Sequence, residues 1–173
     1  WNKIWTFRQV FLQGLGNTAL TAFVGLLLAL VIGIISGLFA TGNSRFLRAV
    51  SRVYVELIQN TPLLLQMCFL YYSLAFAGMS LGIIRAGIIA LGIYHGAYVS
   101  EVIRAGIQAI PKGQFEAADA QGFGYIQKMY FIILPQSIKI ILPPMVNQVV
   151  NLIKNTSCLY IIGGSDLISA TYS

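Results

Sequence analysis

The chain has 173 residues, of which 57% are hydrophobic and 9% are charged, and its mean hydropathy is +0.77. Soluble domains carry about 25% charged residues, so this composition excludes a soluble globular protein and indicates an all-α integral membrane protein. The 11 Lys and Arg exceed the 5 Asp and Glu, but they lie between apolar runs and not in one patch, which argues against a nucleic-acid partner.

The first predicted element is a segment at the membrane interface, residues 1–13, in which two Trp and two Phe accompany Lys3 and Arg8. The uncharged run that follows predicts a first span at about 18–39. Small residues recur along it at every fourth position, at Thr21, Gly25, Ala29, Gly33 and Gly37. Such a stripe lets another helix approach closely, either within the subunit or at a subunit interface.

A cationic cluster precedes the second predicted span, which covers about residues 53–76. Pro62 lies inside that span and predicts a bend. The cluster consists of Arg45, Arg48 and Arg52. The two cysteines, Cys68 and Cys158, lie in or beside apolar runs, so we expect neither a disulfide framework nor a metal site.

The third predicted span, at about 83–103, contains the single histidine of the chain, His95. Ionisable groups inside a membrane are often functional, so a proton relay is one interpretation. No second carboxylate lies at helical spacing, which favours a packed, hydrogen-bonded histidine instead. Glu101 and Arg104 are three residues apart, and we expect them to form a structural pair that locks this span to the following loop.

A polar island follows at about residues 105–135. Pro111 suits the first turn of a helix and Gly122 its end, so a short helix is predicted over 112–121 and a second from Tyr125 to Pro135. The island matches, at every fixed position, the pattern E-A-A, three residues, G, nine residues, I-x-L-P. The matching residues are Glu116, Ala117, Ala118, Gly122, Ile132, Leu134 and Pro135.

This pattern resembles the cytoplasmic coupling loop of bacterial binding-protein-dependent ABC transporter permeases. Residues 60–66, 97–107 and 154–157 also resemble segments of their polar amino acid branch, the histidine, glutamine and arginine permeases. The resemblance implies a type I ABC importer transmembrane domain in the bacterial inner membrane. It also implies that the loop contacts a separate ATPase subunit, through Phe115, Glu116, Ala117, Ala118 and Gly122.

The resemblance further implies a set of partners. Members of this family pair two permease subunits, identical or related, and each receives an ATPase; an extracytoplasmic amino acid-binding protein or a fused binding domain delivers substrate. The sequence has no G-x-x-x-x-G-K-[ST] motif, so we expect ATP and Mg on the partner ATPase. This chain is therefore expected to contain no catalytic residue, metal or cofactor.

The fourth predicted span, at about 136–157, completes a single domain over residues 1–173. Permeases of this branch have five spans, so the last one is expected to be absent from this sequence. Pro143 and Pro144 interrupt the fourth span and predict a broken helix, a pattern that points to a transport site near mid-membrane.

Amide side chains in the fourth span are the predicted substrate ligands, because they offer both donors and acceptors to an amino acid. They are Gln148, Asn151 and Asn155. No acidic residue lies between Asp119 and Asp166, and Lys154 is the nearest charge. The sequence thus favours glutamine, with glutamate or aspartate second and cationic amino acids disfavoured. Alternatively, these amides only bond one helix to another.

The distribution of Lys and Arg predicts the orientation. Seven lie in the loops that include Arg45 and Lys112, and four lie in the opposite set. The positive-inside rule then places the polar island in the cytoplasm and the N-terminus outside. Composition alone also fits an ATP-independent channel or an ion-coupled carrier, which would leave the loop pattern unexplained. An intramembrane enzyme would need paired acids, a Ser–His or Cys–His arrangement, or a metal set. The chain has one histidine, and neither Glu101 nor Asp166 has a second acidic residue nearby, which argues against this class.

Overall fold

The structure, a computed structural model, describes residues 8–79 and 81–164, and every regular element within those ranges is helical. Five helices come first: α1 (Arg8–Thr41), α2 (Arg45–Gln59), α3 (Leu63–Phe76), α4 (Ile83–Gln108) and α5 (Lys112–Ala120). A continuous helical run follows, made of α6 (Tyr125–Lys128), a π-helical turn (Met129–Ile133), α7 (Leu134–Asn155) and a 3₁₀ helix (Thr156–Ile162).

Three stretches are long and apolar enough to cross a membrane, namely Arg8–Thr41, Ile83–Gln108 and Tyr125–Ile162. A further apolar helix, α3, has only 14 residues, whereas about 20 are needed to span the hydrocarbon core. Of the predicted interfacial segment, residues 8–13 form the first turns of α1, and residues 1–7 lie outside the described residues.

The predicted second span is built from two helices and not from one bent helix. The helical backbone stops between Gln59 and Leu63, because the residue before a proline is disfavoured in helical conformation. Gln66 stabilises this break: its side-chain amide donates to the carbonyls of Ile58 and Thr61, both at 2.9 Å.

Pro135 does not end a helix, contrary to the prediction from the sequence. A π-helical turn precedes it, in which the Leu134 N–H donates to the Met129 carbonyl, five residues back. This wider turn accommodates a proline ring that would clash with the carbonyl four residues back in a regular helix. The polar island therefore continues directly into the last membrane span.

The prediction of a fourth span broken at Pro143 and Pro144 is wrong, since both residues lie inside the uninterrupted helix α7. Two prolines remove two N–H donors, whereas leaving the helix inside a bilayer would expose several peptide groups to hydrocarbon. The helix type changes further along, at Thr156, whose Oγ1 donates to the Ile153 carbonyl at 2.7 Å.

Helix α4 lies at the centre of the subunit. Of its most apolar stretch 61% is buried, against 33% for α1 and 17% for the Tyr125–Ile162 run. One core cluster joins α4 to α3 and the 3₁₀ helix, through Leu63, Met67, Leu91, Leu159 and Ile162. A second cluster joins the end of α4 to the π-helical turn, through Val99, Ile103, Ile107, Met129 and Ile133.

The stripe of small residues in α1 faces α4. A Cβ added at Gly33 would overlap the Val99 side chain, and one at Gly37 would lie 2.9 Å from the Ile103 Cβ. Glycine therefore lets the two helix backbones approach closely, so the stripe packs inside the subunit.

Three buried serines tie α1, α2 and α4 together. Ser36 Oγ lies 2.8 Å from Ser51 Oγ and accepts a hydrogen bond from Ser100 Oγ at 3.0 Å. Ser51 Oγ also lies 2.8 Å from the Ser36 carbonyl oxygen. Hydrogen bonds of this kind help to associate helices where surrounding lipid is as apolar as the side chains.

Candidate functional site

Helix α5, the short helix of the polar island, ends in a Schellman motif. The Gly122 N–H donates to the Asp119 carbonyl at 3.0 Å, and the Phe123 N–H donates to the Ala118 carbonyl at 3.1 Å. Gly122 has φ = +78°, which residues with a Cβ rarely adopt. A Cβ there would meet nothing within 4 Å, so the backbone conformation, and not crowding within the subunit, requires glycine.

The matched motif is divided between two faces of α5. Glu116 and Ala117 are exposed, as is Gly122 in the turn that follows, whereas Ala118 is only 1% exposed. Phe115 is half-buried and packs against the cluster at the end of α4. Ala118 and Phe115 therefore hold α5 on its own subunit, whereas Glu116, Ala117 and Gly122 are exposed.

An ion pair that the sequence did not suggest fixes α5 against α6. Lys128 Nζ lies 2.6 Å from Asp119 Oδ1 and 5.9 Å from the centre of the Phe115 ring. The two charged residues are nine positions apart in different helices, so no helical periodicity relates them. Their pairing depends on the angle between α5 and α6, which only the folded chain defines.

Glu101 and Arg104 form the pair expected from their spacing. Arg104 Nη2 lies 2.7 Å from Glu101 Oε2, and Arg104 Nη1 donates to Gln108 Oε1 at 2.7 Å. All these bonds stay within α4. Among the described residues, this pair therefore makes no direct hydrogen bond beyond α4, because all of its partners lie on one face of that helix, including Gln108 at the start of the polar island.

A polar cluster joins α4 to α7 between the apolar surfaces of the two helices. His95 is 2% exposed, and its Nε2 accepts a hydrogen bond from the Asn155 amide at 3.1 Å. The Gln148 side chain also adjoins the imidazole ring. Within the described part of the chain, His95 Nδ1 has no hydrogen-bond partner. His95 is thus the packed, hydrogen-bonded histidine that was predicted, and Asn155 takes the helix-to-helix role.

The third predicted substrate ligand faces elsewhere. Asn151 is exposed on α7, on the same stripe as Asn147 and Lys154, while Gln148 is half-buried between this stripe and His95. The structure therefore brings Gln148 and Asn155 together and sets Asn151 apart. An exposed row of two amides and one ammonium on a span-length helix is poorly suited to contact with lipid.

Comparisons with known proteins agree with this architecture. The family model described as "Binding-protein-dependent transport system inner membrane component" matches residues 29–173. The "Probable glutamine ABC transporter permease protein GlnM" of Bacillus subtilis (strain 168) is 42% identical over 160 residues, covering 92% of this chain and 74% of that protein. The "Putative glutamine transport system permease protein GlnP" of Rickettsia conorii is 40% identical over 146 residues, covering 84% and 67%.

Two solved structures are similar. A crystal structure of an amino acid ABC transporter with histidines has a TM-score of 0.88 and 34% identity, covering 95% of this chain and 77% of that chain. The MetNI methionine ABC transporter in an inward-facing conformation has a TM-score of 0.77 at 20% identity, covering 91% and 76%, and shares the fold.

Proposed function

Because this chain belongs to the family of binding-protein-dependent transport system inner membrane components, we propose that it carries glutamine across the bacterial inner membrane and couples this movement to a partner ATPase. The chain is the permease component of an amino acid ABC importer and a multi-pass membrane protein with the type I importer fold. ATP and Mg bind the partner, so the chemical step of ATP hydrolysis lies outside this chain.

The exposed half of the polar island is the observation that carries the coupling role. Glu116 and Ala117 on α5, and Gly122 in the turn that follows, are exposed, while the Asp119–Lys128 ion pair and buried Ala118 hold α5 against its own subunit. A partly exposed helix that is fixed against a run continuing into a span can transmit the displacement of a bound partner to the membrane helices. The continuous run from Tyr125 to Ile162 supplies that connection.

The test compares two glycines that differ in location but not in local geometry. Gly122 and Gly78 have φ of +78° and +81°, and neither has an atom within 4 Å of an added Cβ. Gly122→Leu should abolish substrate-stimulated ATP hydrolysis by the complete transporter, whereas Gly78→Leu, in the turn after α3, should retain it. Equal loss in both variants would indicate a folding defect, and normal coupling in Gly122→Leu would refute the coupling role.

Glutamine is the proposed substrate because the similar permeases of Bacillus and Rickettsia are named as glutamine systems and because α7 offers amides without carboxylates. Asn151 and Gln148 would bond the substrate amide and ammonium groups, and exposed Lys154 would bind its carboxylate. A lysine or arginine side chain would find no anionic partner on this helix.

Uptake of labelled glutamine into vesicles, competed by unlabelled amino acids, tests this assignment. Glutamine should compete best, glutamate or aspartate less, and arginine least. Asn151→Leu and Gln148→Leu should weaken uptake, whereas Val146→Leu on the same helix should not. Strong competition by arginine but not by glutamine would overturn the assignment of glutamine as the substrate. Uptake that persists without ATP when an ion gradient is imposed would favour a carrier.

Two such permease subunits are proposed to pair around the exposed stripe of α7, each with one ATPase, while an extracytoplasmic binding protein or fused domain delivers the amino acid. A cysteine at Val150, in a background with Cys68 and Cys158 replaced by serine, should cross-link one permease to its partner. A single permease copy in the purified complex would contradict this assembly.

A further inference from the structure

A large cavity opens between α2, the end of α4 and the polar island. Its volume is about 1110 Å³. Its wall contains more basic than acidic side chains, and the basic ones come from three separate parts of the chain, namely Arg45, Arg48, Arg52, Arg104 and Lys128. The cavity is distinct from the stripe of α7 proposed for substrate, because α7 contributes no residue to its lining.

Most of the acidic residues in this wall are already paired. Glu101 lies 2.7 Å from Arg104, and Asp119 lies 2.6 Å from Lys128. The three arginines of α2 form no ion pair or side-chain hydrogen bond with any residue in the described ranges, and Glu56 is the one lining carboxylate left unpaired there. Three guanidinium groups therefore face an open volume against one carboxylate, which favours binding of an anion.

The same helix carries an exposed apolar row beside the arginines. Phe46, Val50, Val53 and Leu57 are 74%, 45%, 54% and 65% exposed. They recur at helical spacing, while Ser51 and Val55 on a third face are buried against the subunit. A helix with adjoining basic and apolar faces is typical of a helix that lies in the headgroup region of a membrane with anionic lipids.

We propose that this cavity is a binding site for the phosphate headgroup of an anionic phospholipid from the cytoplasmic leaflet. Guanidinium groups bind phosphate oxygens through paired hydrogen bonds, and the acyl chains would lie along the adjacent apolar row. A soluble phosphate compound would satisfy the arginines but leave that row uncovered. The inference rests on the proposed cytoplasmic position of the polar island.

The experiment measures retention of phosphatidylglycerol and of phosphatidylcholine by the purified complete transporter, using native mass spectrometry after equilibration with mixed micelles. The transporter should retain phosphatidylglycerol at least about tenfold better. Replacing Arg45, Arg48 and Arg52 together by Gln should weaken this retention about a hundredfold, since each basic group near an anionic lipid surface contributes about fivefold. Replacing the same three by Lys keeps the positive charge but not the paired hydrogen bonds, so it should weaken this retention less than the Gln replacement does.

Two controls decide between lipid and other sources of the anion. Arg85→Gln removes an exposed arginine at the start of α4 and should leave lipid retention unchanged. The double variant Val50→Ser, Leu57→Ser should retain phosphatidylglycerol more weakly but should bind inorganic phosphate as the unmodified transporter does. The lipid proposal fails if inorganic phosphate or ATP displaces the lipid and the two serine substitutions in the apolar row leave phosphatidylglycerol retention unchanged. The site would then hold a soluble anion.

Two further outcomes would also overturn it: equal retention of phosphatidylglycerol by the triple Gln variant, or disulfide cross-linking of Val53→Cys between two permease copies, which would make the apolar row a subunit interface. Lipid retention is measured without ATP or substrate. Failure of this inference is thus distinguishable from failure of the transport function, which ATP-dependent glutamine uptake reports separately.

Discussion

Helix α4 and the run from Tyr125 to Ile162 are both apolar and long enough to cross a membrane, yet they are buried in the subunit to different extents. The most apolar stretch of α4 is 61% buried, whereas that of the later run is 17% buried. Helix α4 places its single histidine inside the subunit, while α7 leaves Asn151 and Lys154 exposed.

Helix α4 therefore serves the packing of the subunit, whereas the exposed row of α7 is available to the proposed substrate pathway or partner subunit. Burial of α4 needs close backbone approach from α1, which the glycines supply. The exposed polar row of α7 has no such partner among the described residues, and lipid cannot satisfy it. Four substitutions test this contrast, and we expect their effects to decrease in the order given.

Gly33→Leu should have the largest effect, because its side chain would collide with Val99 on α4. Overpacking of this kind costs about 1–3 kcal/mol or more, so we expect little folded permease in the membrane. The matched change Gly16→Leu, also in α1, has no atom within 4 Å of the added Cβ and should be tolerated. Thermal unfolding of the detergent-solubilised protein measures both, and equal stability would contradict the close α1–α4 contact.

His95→Leu should rank second. The substitution leaves the Asn155 amide without its partner, which costs about 1–3 kcal/mol. Replacing both His95 and Asn155 by Leu should cost less than the sum of the single changes, since the double variant leaves neither member of this pair without its partner. Additive losses in this double-mutant cycle would show that the bond is not made. By contrast, Asn151→Leu, in the exposed row of α7, should leave the stability unchanged while reducing glutamine uptake.

Ser36→Ala should have a smaller effect. Ser36 accepts from Ser100 and lies within hydrogen-bonding distance of Ser51, and buried bonds between membrane helices are worth about 0.6 kcal/mol each. A loss of roughly 1 kcal/mol in the free energy of unfolding is therefore expected. Thr41→Ala, at the end of the same helix, should change it less, because Thr41 bonds only to carbonyls of its own helix.

Lys128→Met should change stability least. Its partner Asp119 is 59% exposed, and ion pairs of exposed residues contribute at most about 1 kcal/mol. The expected consequence is functional: α5 would be held less rigidly, and ATP hydrolysis would respond less to substrate. Unchanged coupling in Lys128→Met would show that the packing of Phe115 and Ala118 holds α5 without the ion pair.

The sequence alone determined the membrane class, the family and the local features. Continuous uncharged runs identified the regions of the spans, and spacing within single helices predicted the Glu101–Arg104 pair and the end of α5 at Gly122. These features depend on chain-local physics, namely the need for about 20 apolar residues per span and the conformational freedom of glycine.

The contacts between different helices became known only from the folded structure. It showed α1 glycines packed on α4, Asn155 bonded to His95, and Asp119 bonded to Lys128. It also showed that α7 is uninterrupted at Pro143 and Pro144, where the proline pattern had predicted a break. Each outcome depends on the angle and distance between separate helices, or on the cost of leaving peptide groups unbonded in hydrocarbon, and neither quantity is encoded in the spacing along one helix.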